Sequence, residues 1–157
     1  MKRLMFGALA TAGLGMALAA CGSSSKTSTS SPTTAAPSTT APPSVAVAQN
    51  PKEGGILTDG AGRTLYLFAK DTGTTSACKS QPCTATWLAY TVAGTAVAGT
   101  GVDSSKLSTA TGQVPNQVTY FGHLLYYFAR DAAPGDVNGI TIPNWFAVGP
   151  DGSQVKK

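Results

Sequence analysis

The apolar residues of this chain fall in short runs that turn-forming residues separate. Six runs are rich in β-branched and aromatic residues, and they cover residues 55–58, 64–69, 86–92, 117–121, 124–129 and 145–148. Between them Gly, Asp, Asn and Pro recur at short intervals, as is typical of turns between strands. No segment keeps a helical apolar period over three turns. The pattern therefore predicts an all-β fold.

One stretch of sequence occurs twice. Residues 62–71 read GRTLYLFAKD, and residues 122–131 read GHLLYYFARD, 60 positions later. In each copy a short strand, a turn with a glycine and a strong strand predict a β-hairpin. Trp87 and Trp145 each open a third apolar run. Two units are too few for a solenoid, so we predict two pseudo-symmetric halves of one domain.

The boundaries follow from these patterns. We predict a single small domain over residues 51–157, with repeats at about 54–92 and 115–152. The two β-hairpin or meander repeats would pack as a sandwich or barrel, each burying one apolar face against the other.

The repeated strand is apolar on both faces. Alternation along a strand puts Tyr66 and Phe68 on one face, and Leu67 and Asp71 on the other. In one interpretation the aromatic side chains are core and the closing aspartate caps a turn. In the other, the two Tyr-x-Phe-x-x-Asp clusters form a binding site with aromatic walls and a carboxylate. The candidate ligand-binding residues are Tyr66, Phe68, Asp71, Tyr126, Phe128 and Asp131.

The N-terminus has the features of an export signal. Lys2 and Arg3 precede an apolar stretch, and small residues follow it up to Cys21. The sequence Leu-Ala-Ala-Cys at residues 18–21 resembles the lipobox of bacterial lipoproteins. That resemblance implies a signal peptide over residues 1–20 and a diacylated Cys21 as the mature N-terminus. The alternative is an uncleaved membrane anchor, for which the run is short and interrupted by glycines.

A change of composition follows the lipobox. Residues 22–44 contain 8 Ser, 6 Thr and 4 Pro, with no aromatic residue. Such a segment cannot bury enough apolar surface to offset its ordering entropy. We therefore predict a disordered linker over residues 21–50. Its composition suits O-glycosylation, or equally a spacer without sugar.

With Cys21 assigned to lipid, Cys78 and Cys83 remain as a pair. In an oxidising compartment, four intervening residues permit a disulfide that closes a tight loop. The alternatives are a redox-active pair, which usually has two intervening residues, and a zinc site, which needs more ligands than His123 supplies. We predict the disulfide and no metal site.

Neither the charge of the chain nor its motifs indicate catalysis or nucleic-acid binding. Without Lys2 and Arg3 the chain has 9 basic and 7 acidic residues, and no basic stripe indicates nucleic acid. The only histidine, His123, follows a turn glycine and matches Arg63 in the first repeat, which argues against a hydrolytic triad. No phosphate loop, zinc motif or nucleophile elbow occurs. We expect no enzymatic activity and no cofactor.

The repeated motifs resemble a family of bacterial secreted-repeat lipoproteins of unknown function, marked by a Tyr-x-(Phe/Trp/Tyr)-x-x-Asp motif. The resemblance covers both decamers, the Cys78 and Cys83 pair followed by Trp87, and the closing Trp145. It implies an exported, lipid-anchored domain and supplies no established activity.

Together these features predict a protein on the outer side of the cell membrane. We expect attachment through the lipid on Cys21 and a monomeric, non-catalytic module that binds an envelope protein or a small ligand. The alternative is a redox or haem-linked accessory lipoprotein, with His123 or a tyrosine as the haem ligand.

Overall fold

The structure is a computed structural model that describes residues 44–157. The predicted signal peptide, the lipidated Cys21 and the linker up to residue 43 lie outside the described residues. None of the helices in the described part of the chain has the length and apolar character needed to cross a membrane.

Residues 44–157 form ten strands, one short α-helix and two 3-10 turns. The strands are β1 (Val45–Asn50), β2 (Gly54–Asp59), β3 (Tyr66–Phe68), β4 (Trp87–Ala89), β5 (Leu107–Ala110), β6 (Gln117–Tyr120), β7 (His123–Leu124), β8 (Tyr126–Phe128), β9 (Trp145–Val148) and β10 (Gln154–Val155). The helix α1 covers Cys83–Thr86, and the 3-10 turns cover Ser104–Lys106 and Asn138–Thr141. The all-β prediction is confirmed.

The strands form three antiparallel sheets. The sheets are β1-β2, β5-β6-β7 and a central sheet of order β10-β9-β3-β8-β4. The second decamer takes part in two of these sheets, through β7 and β8. The first enters the central sheet through β3 and reaches β2 through a single bridge between Thr64 and Thr58. In the first repeat, for example, the Leu65 N–H donates to Leu57, whereas Tyr66 pairs with Tyr126 and Ala147.

The third strand of each repeat pairs with the other repeat. Strand β4, from the first repeat, pairs with β8 of the second, and β9, from the second, pairs with β3 of the first. The halves therefore exchange strands, whereas the sequence pattern predicts only that the two halves bury one apolar face against each other.

Residues 45–50 correct the predicted linker. The predicted boundary places them in the disordered linker, but they form β1, which pairs along its whole length with β2. The physical reason is burial, because Val45 is fully buried and packs with Leu57 and Leu65. Asn50 closes the hairpin by accepting hydrogen bonds from the N–H groups of Lys52 and Glu53.

The central strands are covered on both faces, as the apolar decamer predicts. Leu65, Leu67 and Leu125 pack in a cluster of mostly leucine and valine side chains that also contains Tyr90 and Tyr120; we call it the aliphatic cluster. Tyr66, Phe128 and their neighbours point to the opposite face, into a cluster rich in aromatic rings. The loops that follow the decamers carry Cys78 and Ile140 to this second face.

Candidate functional site

The site begins at the point where the two decamers meet. Strands β3 and β8 pair so that Tyr66 lies opposite Tyr126, its counterpart 60 positions later. When equivalent residues pair in an antiparallel sheet, a local twofold axis passes between them. Two sets of contacts follow this axis in reciprocal pairs, one between aromatic rings and one between tyrosines and aspartates.

The aromatic side chains stack across the axis. Trp87 and Trp145 lie face to face with ring centroids 3.7 Å apart. Trp87 contacts Phe128 at 4.6 Å, and Trp145 contacts Phe68 at 4.2 Å, so each tryptophan packs on the phenylalanine of the other repeat. Aromatic pairs of this kind stabilise a core beyond their buried area by about 0.5–1.5 kcal/mol. We call this set the aromatic cluster; its members are Tyr66, Phe68, Trp87, Tyr126, Phe128 and Trp145.

The tyrosine of each motif bonds to the aspartate of the other motif. The Tyr66 hydroxyl donates to Asp131 at 2.5 Å, and the Tyr126 hydroxyl donates to Asp71 at 2.8 Å. This corrects the predicted orientation of Asp71, which strict alternation places on the face opposite Tyr66. The chain turns after Phe68, where the Asp71 N–H donates to the Phe68 carbonyl, and the turn brings the carboxylate to the aromatic face.

Both aspartates also hold a loop. Asp71 accepts a hydrogen bond from the Ala77 N–H at 2.7 Å, and Asp131 accepts one from the Asn138 N–H at 3.1 Å. The capping interpretation is therefore right about the acceptor role. The spacing differs, since each carboxylate closes a loop of several residues rather than a turn two residues long.

Burial controls the ionisation of these pairs. Desolvation raises the pKa of Asp71 and of Asp131, and their hydrogen bonds oppose that shift. Desolvation also raises the pKa of Tyr66 and of Tyr126 above their ordinary range, and the partner aspartates add to the shift. Both hydroxyls are thus neutral donors over the physiological range.

The structure brings all six predicted ligand-binding residues together, but as packed core. Tyr66, Tyr126 and Phe128 are at most 4% exposed, and only Phe68 among the four rings is partly exposed. Within residues 44–157 every buried side-chain nitrogen and oxygen has a hydrogen-bond partner. The motif therefore builds the domain, and its binding role stays a prediction.

The predicted disulfide is present between Cys78 and Cys83. It lies in the loop that follows the first decamer, and Cys78 packs against the aromatic cluster. Ser76 from the same loop lies 2.7 Å from the Tyr126 hydroxyl. The loop after the second decamer covers Tyr66 differently, because Gly139 packs directly on the Tyr66 and Trp87 rings with no room for a Cβ.

A third tyrosine-aspartate pair was not predicted from the sequence. The Tyr127 hydroxyl donates to Asp59 at 2.7 Å, and the Arg63 guanidinium lies 3.8 Å from the centre of the Tyr127 ring. Burial raises the pKa of Tyr127 above its ordinary range, with Asp59 adding to the shift. The repeat does not indicate this pair, because the first repeat has Leu67 where the second has Tyr127. The one local signal is the sequence Leu-Thr-Asp at residues 57–59.

One cleft borders the aromatic cluster from outside. It has a volume of about 310 Å³, and we call it the β4 cleft because β4 forms one wall. Its lining includes Trp87, Tyr126, Leu88, Val114 and Lys79. A larger cleft of about 500 Å³ lies between the β1-β2 hairpin and residues 134–138, away from the tryptophans.

Within residues 44–157 no group of three or more His, Cys, Asp or Glu side chains is placed to hold a metal ion. His123 begins β7, at the turn of the second hairpin, and is partly buried. It does not join the aromatic cluster.

The comparisons with known proteins give one match. A lipoprotein family model, described as a secreted repeat of unknown function, matches residues 47–91 and residues 108–148. The two matches cover more than half of the chain, and each contains one decamer and one tryptophan strand. Neither the curated proteins nor the solved structures contain a match.

Proposed function

The chain belongs to this lipoprotein family of secreted repeats of unknown function, and on that premise we propose that it is an envelope binding module. In this proposal the lipid on Cys21 attaches the protein to the outer side of the membrane. The β domain then binds another envelope molecule and performs no reaction of its own.

The β4 cleft is the observation that supports binding best. Its walls include Trp87 and Tyr126, which the core holds in place, and exposed Leu88 contributes an apolar side chain that is 44% accessible. Concave sites with aromatic walls and a few polar groups are the usual binding sites of proteins. Exposed Lys79 and Gln113 supply such polar groups here.

Attachment rests on the N-terminal sequence. Lys2 and Arg3, the apolar stretch and the lipobox together support processing before Cys21. Two or more acyl chains anchor stably, because each buried methylene contributes about 0.8 kcal/mol.

The anchor can be tested with one substitution. We expect Cys21→Ser to abolish incorporation of labelled fatty acid and to leave unprocessed precursor, as seen by metabolic labelling and gel mobility. Normally processed, lipid-labelled protein in this variant would contradict the proposed attachment.

Binding can be tested by mild cross-linking in cells, followed by purification of the lipidated protein. We expect a discrete cross-linked species that Leu88→Lys removes. Ile142→Lys is the matched control, because Ile142 is another exposed aliphatic residue, 36% accessible, and does not line the β4 cleft. Equal loss in both variants would refute a role for the cleft. A visible absorption band in the protein purified from its own membrane would instead favour the haem-linked alternative.

A further inference from the structure

The two outer edges of the central sheet are unequal. Strands β9 and β4 occupy equivalent places in the two repeats, since each begins with a tryptophan and each places an alanine opposite a motif tyrosine. Strand β10 covers the outer edge of β9, whereas β4 is the last strand of the sheet. Within the described residues, the local twofold axis therefore leaves one strand position filled and its equivalent unfilled.

The register shows which groups β10 satisfies. Asn144 and Val148 bond through their backbone groups to Ala69 and Leu65, the two residues that flank β3. By alternation Ala147 therefore points its N–H and C=O away from β3. Ala147 lies opposite Val155 of β10, in register with the Gly149 to Ser153 hydrogen bond. The side chain of Val155 packs against the aromatic cluster.

The same register holds on β4. Thr86 and Tyr90 bond to Ala129 and Leu125 through their backbone groups, so Ala89 points its N–H and C=O away from β8. Ala89 is the counterpart of Ala147, and it lines the β4 cleft. The cleft thus occupies the position that β10 has on the other side.

We propose that the β4 cleft binds an extended segment of a partner protein, which adds as an antiparallel strand at Ala89. This inference rests on the proposed binding function and names its ligand class. Strand addition supplies affinity through main-chain hydrogen bonds and specificity through alternate side chains. On the equivalent edge, Val155 of β10 pairs with Ala147 of β9. We therefore expect the partner segment to place a small branched residue like Val155 opposite Ala89.

Charge defines a second feature of the segment. Lys79 is the one charged side chain among the described residues that line the cleft, and it is exposed. A segment with a carboxylate beside its branched residue would complement Lys79. The partner is therefore an extended, acidic strand rather than a second copy of β10, which Lys156 and Lys157 follow in the chain.

The probe for this site is a capped peptide, Gly-Ser-Gln-Val-Glu-Glu, which is the β10 segment with its two lysines replaced by glutamate. Binding to the lipidated full chain in detergent micelles is measured by fluorescence anisotropy. Hydrogen exchange then reports the amide of Ala89, which we expect the peptide to protect. Absence of saturable binding up to about 1 mM peptide, the limit of a weak site, would overturn the proposal.

Ala89→Pro tests the main-chain bond. Proline removes the outward N–H, is tolerated on an edge strand, and should leave the melting temperature close to that of the original chain. We expect up to about tenfold weaker peptide binding, because the one hydrogen bond donated by the Ala89 N–H is lost while the carbonyl can still accept. Unchanged binding in a folded Ala89→Pro variant would refute strand addition.

Lys79→Glu tests the charge without touching the backbone. We expect weaker binding of the acidic peptide and stronger binding of the same peptide with Lys-Lys at its end. Lys52→Glu is the matched control, since exposed Lys52 lines the other cleft and the change in net charge is equal. Equal effects of the two substitutions would refute the role of Lys79.

Two further outcomes separate this inference from the function on which it rests. If Leu88→Lys abolishes cellular cross-linking but Ala89→Pro does not, the protein is a binding module and strand addition is wrong. If Ala89 is already protected from exchange without peptide, another segment of this chain or a second copy covers the edge, and the proposed partner is wrong.

Discussion

The two repeats have the same centre and different surroundings. Both supply a tyrosine, a phenylalanine, a tryptophan and an aspartate to one reciprocal arrangement. Around it, the loop of the first repeat is closed by the Cys78–Cys83 disulfide, whereas the loop of the second packs through Gly139. Their tryptophan strands also differ, because only the second has β10 beside it.

The shared contacts hold the two halves together, whereas the features that differ lie around them. The exchanged contacts involve residues of both repeats, so a change in one must suit the other. The outer edge of β4 pairs with no strand of the other half among the described residues, and the disulfide closes its loop within the first repeat, so these two features can differ between the repeats. The open edge of β4 lies in this variable part, where binding sites are usually found.

The strongest way to break the comparison is to separate the repeats. We expect fragments 44–102 and 103–157 to be unfolded alone, because β4 and β9 then lose their partner strands. Exposing a large aromatic side chain also forfeits about 1.5–3 kcal/mol. Amide dispersion in NMR spectra measures this, and mixing the fragments should restore it. A cooperative melt of monomeric 44–102 would show that the first half is an independent domain.

The equivalent phenylalanines should differ in their contribution to stability. We expect Phe128→Ala to cost about 3–5 kcal/mol, as for a core truncation. Phe68→Ala should cost less, because Phe68 is partly exposed whereas Phe128 is 4% accessible. Denaturant unfolding of the two variants gives the comparison. Equal costs would mean that local exposure does not distinguish the repeats, and an unchanged Phe128→Ala protein would place that ring outside the core.

The disulfide is present in only one of the two loops, so its removal tests how far the first loop depends on it. We expect the double substitution of Cys78 and Cys83 by serine to cost about 2 kcal/mol, the low end of the usual range, because the loop it closes is short. Reduction of the original chain should lower its melting temperature to that of the double-serine variant. A protein that no longer folds would show that the bridge is required where the second repeat manages without one.

The smallest expected effect is on the pH dependence of stability. Desolvation raises the pKa of Asp71 and Asp131 above the ordinary value of 3.8, so the folded protein binds these protons more tightly than the unfolded chain does. The free energy of unfolding should therefore increase as the pH falls from above the raised pKa values towards 3.8.

Substituting both aspartates by asparagine should remove this part of the slope. Asparagine keeps one carbonyl oxygen, which can accept from the backbone N–H. Its NH2 group replaces the oxygen that accepts from the tyrosine hydroxyl, so that hydroxyl becomes the acceptor. Melts across the acid range compare the two proteins, and the other acidic groups cancel in the difference. An identical slope in the double variant would show that folding does not change the pKa values of these two carboxylates.

The sequence by itself determined the features that depend on neighbouring residues. Alternating apolar runs and turn glycines predicted most strands of the central sheet and both hairpins, because strand and turn preferences act over a few residues. The repeat predicted a two-part domain, and the cysteine pair at a short spacing predicted its bridge. The lipobox is likewise a local motif.

Only the tertiary structure decided which half each strand joins. The tyrosine of one motif bonds to an aspartate 65 or 55 positions away. The spacing within a motif does not indicate whether its tyrosine bonds to its own aspartate or to that of the other motif. A turn after Phe68 places Asp71 on the same face as Tyr66, whereas strict alternation along the strand places it on the opposite face. Strand β1 forms because β2 lies beside it and the aliphatic cluster accepts Val45. Each of these outcomes depends on hydrogen bonds and burial between residues distant in the chain, and a local pattern carries no record of them.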